Sequence, residues 1–196
     1  MKEQHNIQSV AGLEPDFMGF IFWEKSPRFC VEVPQNIPES IHKVGVFVNA
    51  SFDFILEKIN SFDLKAVQLH GSETPELCAK LQKLTKVIKV FSVKNHFDFT
   101  KLAPYEAYCD YYLFDTQGKL PGGNGTVFDW GVLEGYPSEK PFFLSGGIGL
   151  ESAEEIRKMF ETQLPVFALD VNSKFETSPG LKNKEKLKEF IEKLEL

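Results

Sequence analysis

Cysteine is scarce: Cys30, Cys78 and Cys109 are the three in 196 residues, and none belongs to a Cys-x-x-Cys pair. That number and scatter exclude a disulfide framework and point to a reduced, cytoplasmic setting. Long apolar runs are missing as well. The longest, Phe17 to Trp23, falls far short of the roughly 20 residues a membrane helix needs, and no basic segment precedes it as in a secretory signal. Basic runs are also lacking. Lys and Arg number 22 against 28 Asp and Glu, for a formal net charge of −6 and a pI near 5.3. This excludes the concentrated basic face that a nucleic-acid partner requires. Histidines number four, only His70 stands at an expected strand end, and no His/Asp/Glu constellation accompanies it. No metal site is implied. The expectation is a soluble, intracellular protein with no nucleic-acid partner and no membrane span.

Short apolar runs rich in β-branched and aromatic residues are abundant. Their centres lie near Phe20, Val46, Val67, Val90, Leu113, Phe143 and Ala168, and most stop at a polar or glycine-rich cluster. Continuous apolar runs of this length are the mark of parallel strands buried on both faces, and a β-α-β unit needs about 30 residues. The expected strands are Asp16 to Trp23, Lys43 to Val48, Ala66 to Leu69, Val87 to Ser92, Tyr111 to Asp115, Phe142 to Ser145 and Val166 to Val171. Between them, helices are expected at Lys2 to Leu13, at Ser51 to Ile59 behind a Ser cap, and at Leu77 to Leu84 behind Thr74-Pro75-Glu76. Ser152 to Phe160 follows, with Ile156, Met159 and Phe160 as its buried stripe, and Lys182 to Lys193 closes the chain with Leu187, Phe190, Ile191 and Leu194 as its apolar face.

Such alternation makes either an open doubly wound sheet or a closed (β/α)8 barrel. The doubly wound fold carries a glycine fingerprint after its first strand. Here the glycines gather after the last three expected strands, where a barrel places its active site and phosphate loops. The pattern therefore points to an α/β (β/α)8 TIM-type barrel in a single domain spanning 1–196. No strand precedes the first helix, so only seven of the eight strands are encoded.

Asp115 ends a strand and runs into Gly118, Gly122, Gly123 and Gly125. It is a candidate acid; the bland reading is a turn or cap aspartate, a role that Asp129 fits better. Ser145-Gly146-Gly147 and Asp170-Val171-Asn172-Ser173, the latter followed by Ser178-Pro179-Gly180, terminate the last two strands and could form one phosphate cup. Arg28 fits a bidentate grip on a substrate carboxylate or a surface salt bridge. His70, by itself, fits a hydrogen-bonded structural group better than a catalyst.

Taken in order, Gly19-Phe20-Ile21-Phe22, Ser26-Pro27-Arg28-Phe29, Lys43-Val44-Gly45-Val46-Phe47-Val48, Gln68-Leu69-His70-Gly71, Asp115, Gly122-Gly123-Asn124-Gly125, Phe128-Asp129-Trp130 and the two phosphate motifs resemble the phosphoribosylanthranilate isomerases of tryptophan biosynthesis over nearly the whole chain. The resemblance implies a cofactor-free rearrangement of N-(5-phosphoribosyl)anthranilate to its aminoketose. It makes Asp115 the general acid and Arg28 the holder of the anthranilate end. Gly146, Gly147, Asn172 and Ser173 hold the phosphate, while Asp170 orients the open-chain sugar and His70 lines the same mouth. It also implies a first strand ending in Lys-x-Cys-Gly, whose cysteine is the general base. That motif is absent here, so the chain is expected to be impaired, and the simplest explanation is a start assigned too far downstream. Open strand edges would then leave an unclosed seven-stranded sheet or drive self-association. The rival readings are another sugar-phosphate isomerase or epimerase, and a non-catalytic phosphosugar-binding barrel.

Overall fold

Each apolar run becomes a strand, and neighbours in sequence become neighbours in space. The computed structural model describes residues 1–116 and 129–194. Among them β1 (Phe17–Ile21), β2 (His42–Phe47), β3 (Ala66–Leu69), β4 (Lys86–Val93), β5 (Tyr111–Thr116), β6 (Phe142–Leu144) and β7 (Val166–Leu169) form one seven-stranded sheet in chain order. Every adjacent pair is parallel. All seven lie within two residues of their expected ends.

Alternation along the strands separates two cores. Val44, Ala66, Ile88, Val90, Leu113 and Phe143 fill the interior of the curled sheet. Their sequence neighbours Val67, Val87, Phe91, Tyr112 and Phe114 point outward, into a layer shared with Ile55, Cys78, Leu81 and Ile156 of the helices. Both faces are therefore dry, which is why the runs read as continuously apolar.

The sheet is curled far enough for its ends to meet. The Phe17 ring on β1 lies 5.3 Å from that of Phe143 on β6 and 5.9 Å from that of Phe167 on β7. No backbone pairing joins β1 to β7 among the described residues, so this TIM-type fold keeps an open seam, as expected. The Met1 amino group donates to the Gly19 carbonyl at 2.8 Å on the side of β1 facing away from β2. Burial lowers the pKa of that amine to about 5.

Helices α1 (Gln4–Ala11), α2 (Phe52–Phe62), α3 (Pro75–Leu81), α4 (Ala153–Phe160) and α5 (Lys184–Leu194) cover the outside. Two expected caps form: Ser51 Oγ accepts from the Phe54 amide at 3.3 Å and Thr74 Oγ1 from the Leu77 amide at 3.4 Å. Two expectations need correction. Phe160 is not part of a buried stripe; Ile156 and Met159 are buried, but Phe160 is the last residue of α4 and stands 40% exposed. Lys182 does not open the closing helix. It lies in a hairpin, β8 (Glu176–Ser178) against β9 (Leu181–Lys182), that turns at Pro179-Gly180, where Gly180 takes φ +87°. The connections before β5 and β6 contain 3-10 turns, Phe99–Tyr105 and Trp130–Gly135, and Asp129 caps the second by accepting from the Gly131 amide at 2.9 Å. No described helix is long and apolar enough to cross a membrane.

Candidate active site

The alternation that fills the interior delivers polar groups to one rim. Along β5 the inward positions are Tyr111, Leu113 and Asp115; the same count carries β3 through Gln68 to His70, β6 through Phe143 to Ser145, and β7 through Ala168 to Asp170. The register aligns Leu113 with Phe143 and Phe143 with Ala168, so Asp115, Ser145 and Asp170 share one level at the C-terminal ends of their strands. This is the rim where barrel enzymes carry their chemistry.

His70 Nε2 approaches Asp115 Oδ2 at 3.2 Å, with both side chains nearly buried. The approach lies off the N–H direction, so the two groups are in close polar contact without an aligned hydrogen bond. On the other side of the ring, Gln68 Nε2 stands 3.3 Å from Nδ1. With the Gln68 amide donating there, Nδ1 is the accepting nitrogen of the ring. Ser145 Oγ reaches Asp170 Oδ2 at 3.5 Å. Burial, followed by the nearby charge of Asp115, pushes the Asp170 carboxyl above its ordinary range, against the opposing pull of Lys182 and His70.

The turn after β6 needs glycine. Gly146 has φ +89° and Gly147 φ +67°, the left-handed region that costs other residues energy. A Cβ at Gly146 would also collide with the backbone and side chain of Thr116. Beside it, Asn172 and Ser173 follow the adjacent strand, and Ser173 opens a 3-10 turn. Backbone amides converging from two neighbouring strand ends can hold an anion.

Arg28 is engaged. Its Nε lies 3.0 and 2.9 Å from the two Glu176 oxygens, and Nη2 lies 2.6 Å from Oε2. The pair is not a surface salt bridge, since Glu176 is only 4% exposed. Lys182 Nζ donates to Glu176 Oε1 at 3.2 Å and to Asn172 Oδ1 at 2.6 Å, linking the Arg28 end of the rim to the Asn172 end. Burial would raise the Glu176 carboxyl, but the Arg28 hydrogen bonds and the Lys182 charge outweigh it, and the net shift is downward.

A family model described as N-(5'phosphoribosyl)anthranilate (PRA) isomerase matches residues 1–193. The chain belongs to the phosphoribosylanthranilate isomerase family. The N-(5'-phosphoribosyl)anthranilate isomerase of Parabacteroides distasonis is 46% identical over 202 residues, covering 99% of this chain and 90% of that protein. The crystal structure of phosphoribosyl anthranilate isomerase from Thermotoga maritima matches with a TM-score of 0.85 and 30% identity, covering 100% of this chain and 95% of that one. A further structure of the isomerase, in complex with reduced 1-(o-carboxyphenylamino)-1-deoxyribulose 5-phosphate, matches with a TM-score of 0.83 and 29% identity, over 100% of this chain and 95% of that one.

In this isomerase-family chain, side-chain contacts join the expected residues in two groups, His70 with Asp115 and Ser145 with Asp170, while Arg28 reaches Asn172 through Glu176 and Lys182. The glycines at 118, 122, 123 and 125 lie outside the described residues. Gln68, Glu176 and Lys182 were not foreseen as site residues. Pro179-Gly180 between short extended segments is the one local signal that marks the hairpin carrying the last two. The three cysteines are free and buried. Burial raises all three thiols, Cys78 to about 11 and Cys109 to about 12, with Cys30 donating to the Glu32 carbonyl. Among the described residues no cluster of His, Cys, Asp or Glu could hold a metal ion.

Proposed function

We propose that this rim performs the aldose–ketose isomerisation of N-(5-phosphoribosyl)anthranilate to 1-(2-carboxyphenylamino)-1-deoxyribulose 5-phosphate, the step that family membership assigns to tryptophan biosynthesis. Asp115 acts as general acid. It protonates the furanose ring oxygen as the C1–O bond breaks, and the nitrogen lone pair forms the Schiff base. A base then removes the C2 proton, the electron pair moves to give an enolamine, and tautomerisation yields the ketose. His70 stands beside Asp115, Asp170 orients the open-chain sugar, and amides around Gly146, Gly147, Asn172 and Ser173 hold the phosphate. Arg28 takes the anthranilate carboxylate. No metal or organic cofactor enters this scheme, and a cytoplasmic location suits it. The observation that carries the reading is the shared level of Asp115, Ser145 and Asp170 beside the left-handed Gly146-Gly147 turn.

None of Cys30, Cys78 and Cys109 is placed to take the C2 proton. In our reading the base belongs at the open seam between β1 and β7, on a strand ending in Lys-x-Cys-Gly. Fusing such a strand ahead of Met1 should raise turnover by about 10²–10⁴-fold, the usual contribution of one acid–base group. It should also suppress self-association through the unpaired edges, read by light scattering. Tight binding of the reduced product without turnover, persisting after the fusion, would instead select the non-catalytic phosphosugar-binding reading.

A further inference from the structure

A guanidinium offers a carboxylate two edges, the side-on pair Nε/Nη2 and the end-on fork Nη1/Nη2. Glu176 occupies the side-on edge of Arg28. Its carboxylate is saturated, because Oε1 also accepts from Lys182 Nζ at 3.2 Å and from the Gly180 amide at 3.0 Å. The Nη1 donors have no partner among the described residues, and the Arg28 side chain keeps 14% of its surface exposed. The guanidinium is thus clamped by a group that leaves one fork vacant.

We infer that Glu176 is a positioning residue for substrate recognition: anchored by Lys182 and the Gly180 amide, it fixes Arg28 side-on so that the end-on fork meets the ring carboxylate of the ligand. The inference rests on the proposed role of Arg28. It adds that carboxylate selectivity depends on a second, permanently bound carboxylate on the β8–β9 hairpin. Lys182 extends the clamp to Asn172, tying the carboxylate end of the ligand to its phosphate end. Without Glu176 the long Arg28 side chain would regain its rotamers and pay ordering entropy on each binding event.

Calorimetric titration of the protein with reduced 1-(o-carboxyphenylamino)-1-deoxyribulose 5-phosphate, and with the same compound lacking the ring carboxylate, tests this. The wild-type chain should favour the carboxylate-bearing ligand by about tenfold or more, the worth of a charge-assisted bidentate contact. Glu176→Gln and Arg28→Lys should each bring that ratio close to unity by weakening only the carboxylate ligand. The double variant should match Arg28→Lys alone, as coupled residues do. Should Glu176→Gln fail to fold, Glu176→Asp, one methylene shorter, should give an intermediate ratio. A Glu176 variant that weakens both ligands equally, or leaves the ratio intact, overturns the inference. Equal wild-type affinity for both ligands also overturns it while leaving the isomerase reading standing; binding of neither removes both.

Discussion

The two ends of the same seven strands are built from opposite materials. At the N-terminal end Phe17, Tyr111, Phe143 and Phe167 pack ring to ring with centroids 4.6 to 5.9 Å apart. At the C-terminal end His70, Asp115, Ser145 and Asp170 are polar and nearly enclosed. On β5 the change takes only the inward steps Tyr111, Leu113, Asp115. On the proposed reading, stability and chemistry are distributed along single strands, and each should be removable without the other.

The largest effect is expected at the polar end. In the chain carrying the added Lys-x-Cys-Gly strand, Asp115→Asn should cut turnover by about 10²–10⁴-fold. It should not lower the unfolding midpoint, because the amide also relieves the charge that Asp115 places on Asp170. A parallel collapse of stability would erase the partition. At the aromatic end Phe143→Ala should cost about 3–5 kcal/mol of unfolding free energy, the usual price of emptying a core phenylalanine site. Denaturant titration reads that loss, and the affinity for the reduced product should stay within about threefold once the variant is folded.

Gly146→Ala should give a smaller effect confined to the polar end. It forces a left-handed conformation and a clash with Thr116, a strain of about 1–3 kcal/mol. Competition by inorganic phosphate should show the cradle weakened about tenfold or more. The finest contrast is in pH. The Asp170 carboxyl is raised, so its contribution to stability is present below its ordinary value of 3.8 and is lost as pH rises through its folded pKa. Asp170→Asn should therefore be more stable than the wild type at neutral pH. The Glu176 carboxyl is lowered, so its contribution is present above 4.5 and is lost as pH falls through its folded pKa. Glu176→Gln should have a flatter acid limb in thermal melts followed from pH 7 to 3.

What could be read from residues alone follows the range of the interactions. Strands were legible because burial on both faces leaves an unbroken apolar run, and Asp115, His70 and Asp170 because each closes such a run. Ser51, Thr74 and Asp129 were legible because a cap acts within three residues. The Arg28–Glu176 pair joins positions 148 residues apart and leaves no local trace. Lys182 was hidden in the helical pattern that follows it. Lys89 shows the same limit. It interrupts an apolar run, yet its ammonium is buried against Glu73 at 3.0 Å and the Leu69 and Gly71 carbonyls at 3.1 and 2.8 Å, bracing the turn that carries His70. The long 3-10 segment before β5 contains Pro104, which cannot donate to a regular helix.

The central claim is that Asp115 and the Gly146-Gly147 turn address one bound sugar phosphate. A crystal structure of the chain with reduced 1-(o-carboxyphenylamino)-1-deoxyribulose 5-phosphate tests it most directly. The account predicts the phosphate on the amides around Gly147 and Ser173, with an Asp115 oxygen within hydrogen-bond reach of the sugar. A phosphate bound elsewhere, or an Asp115 carboxylate turned away from the ligand, would contradict it.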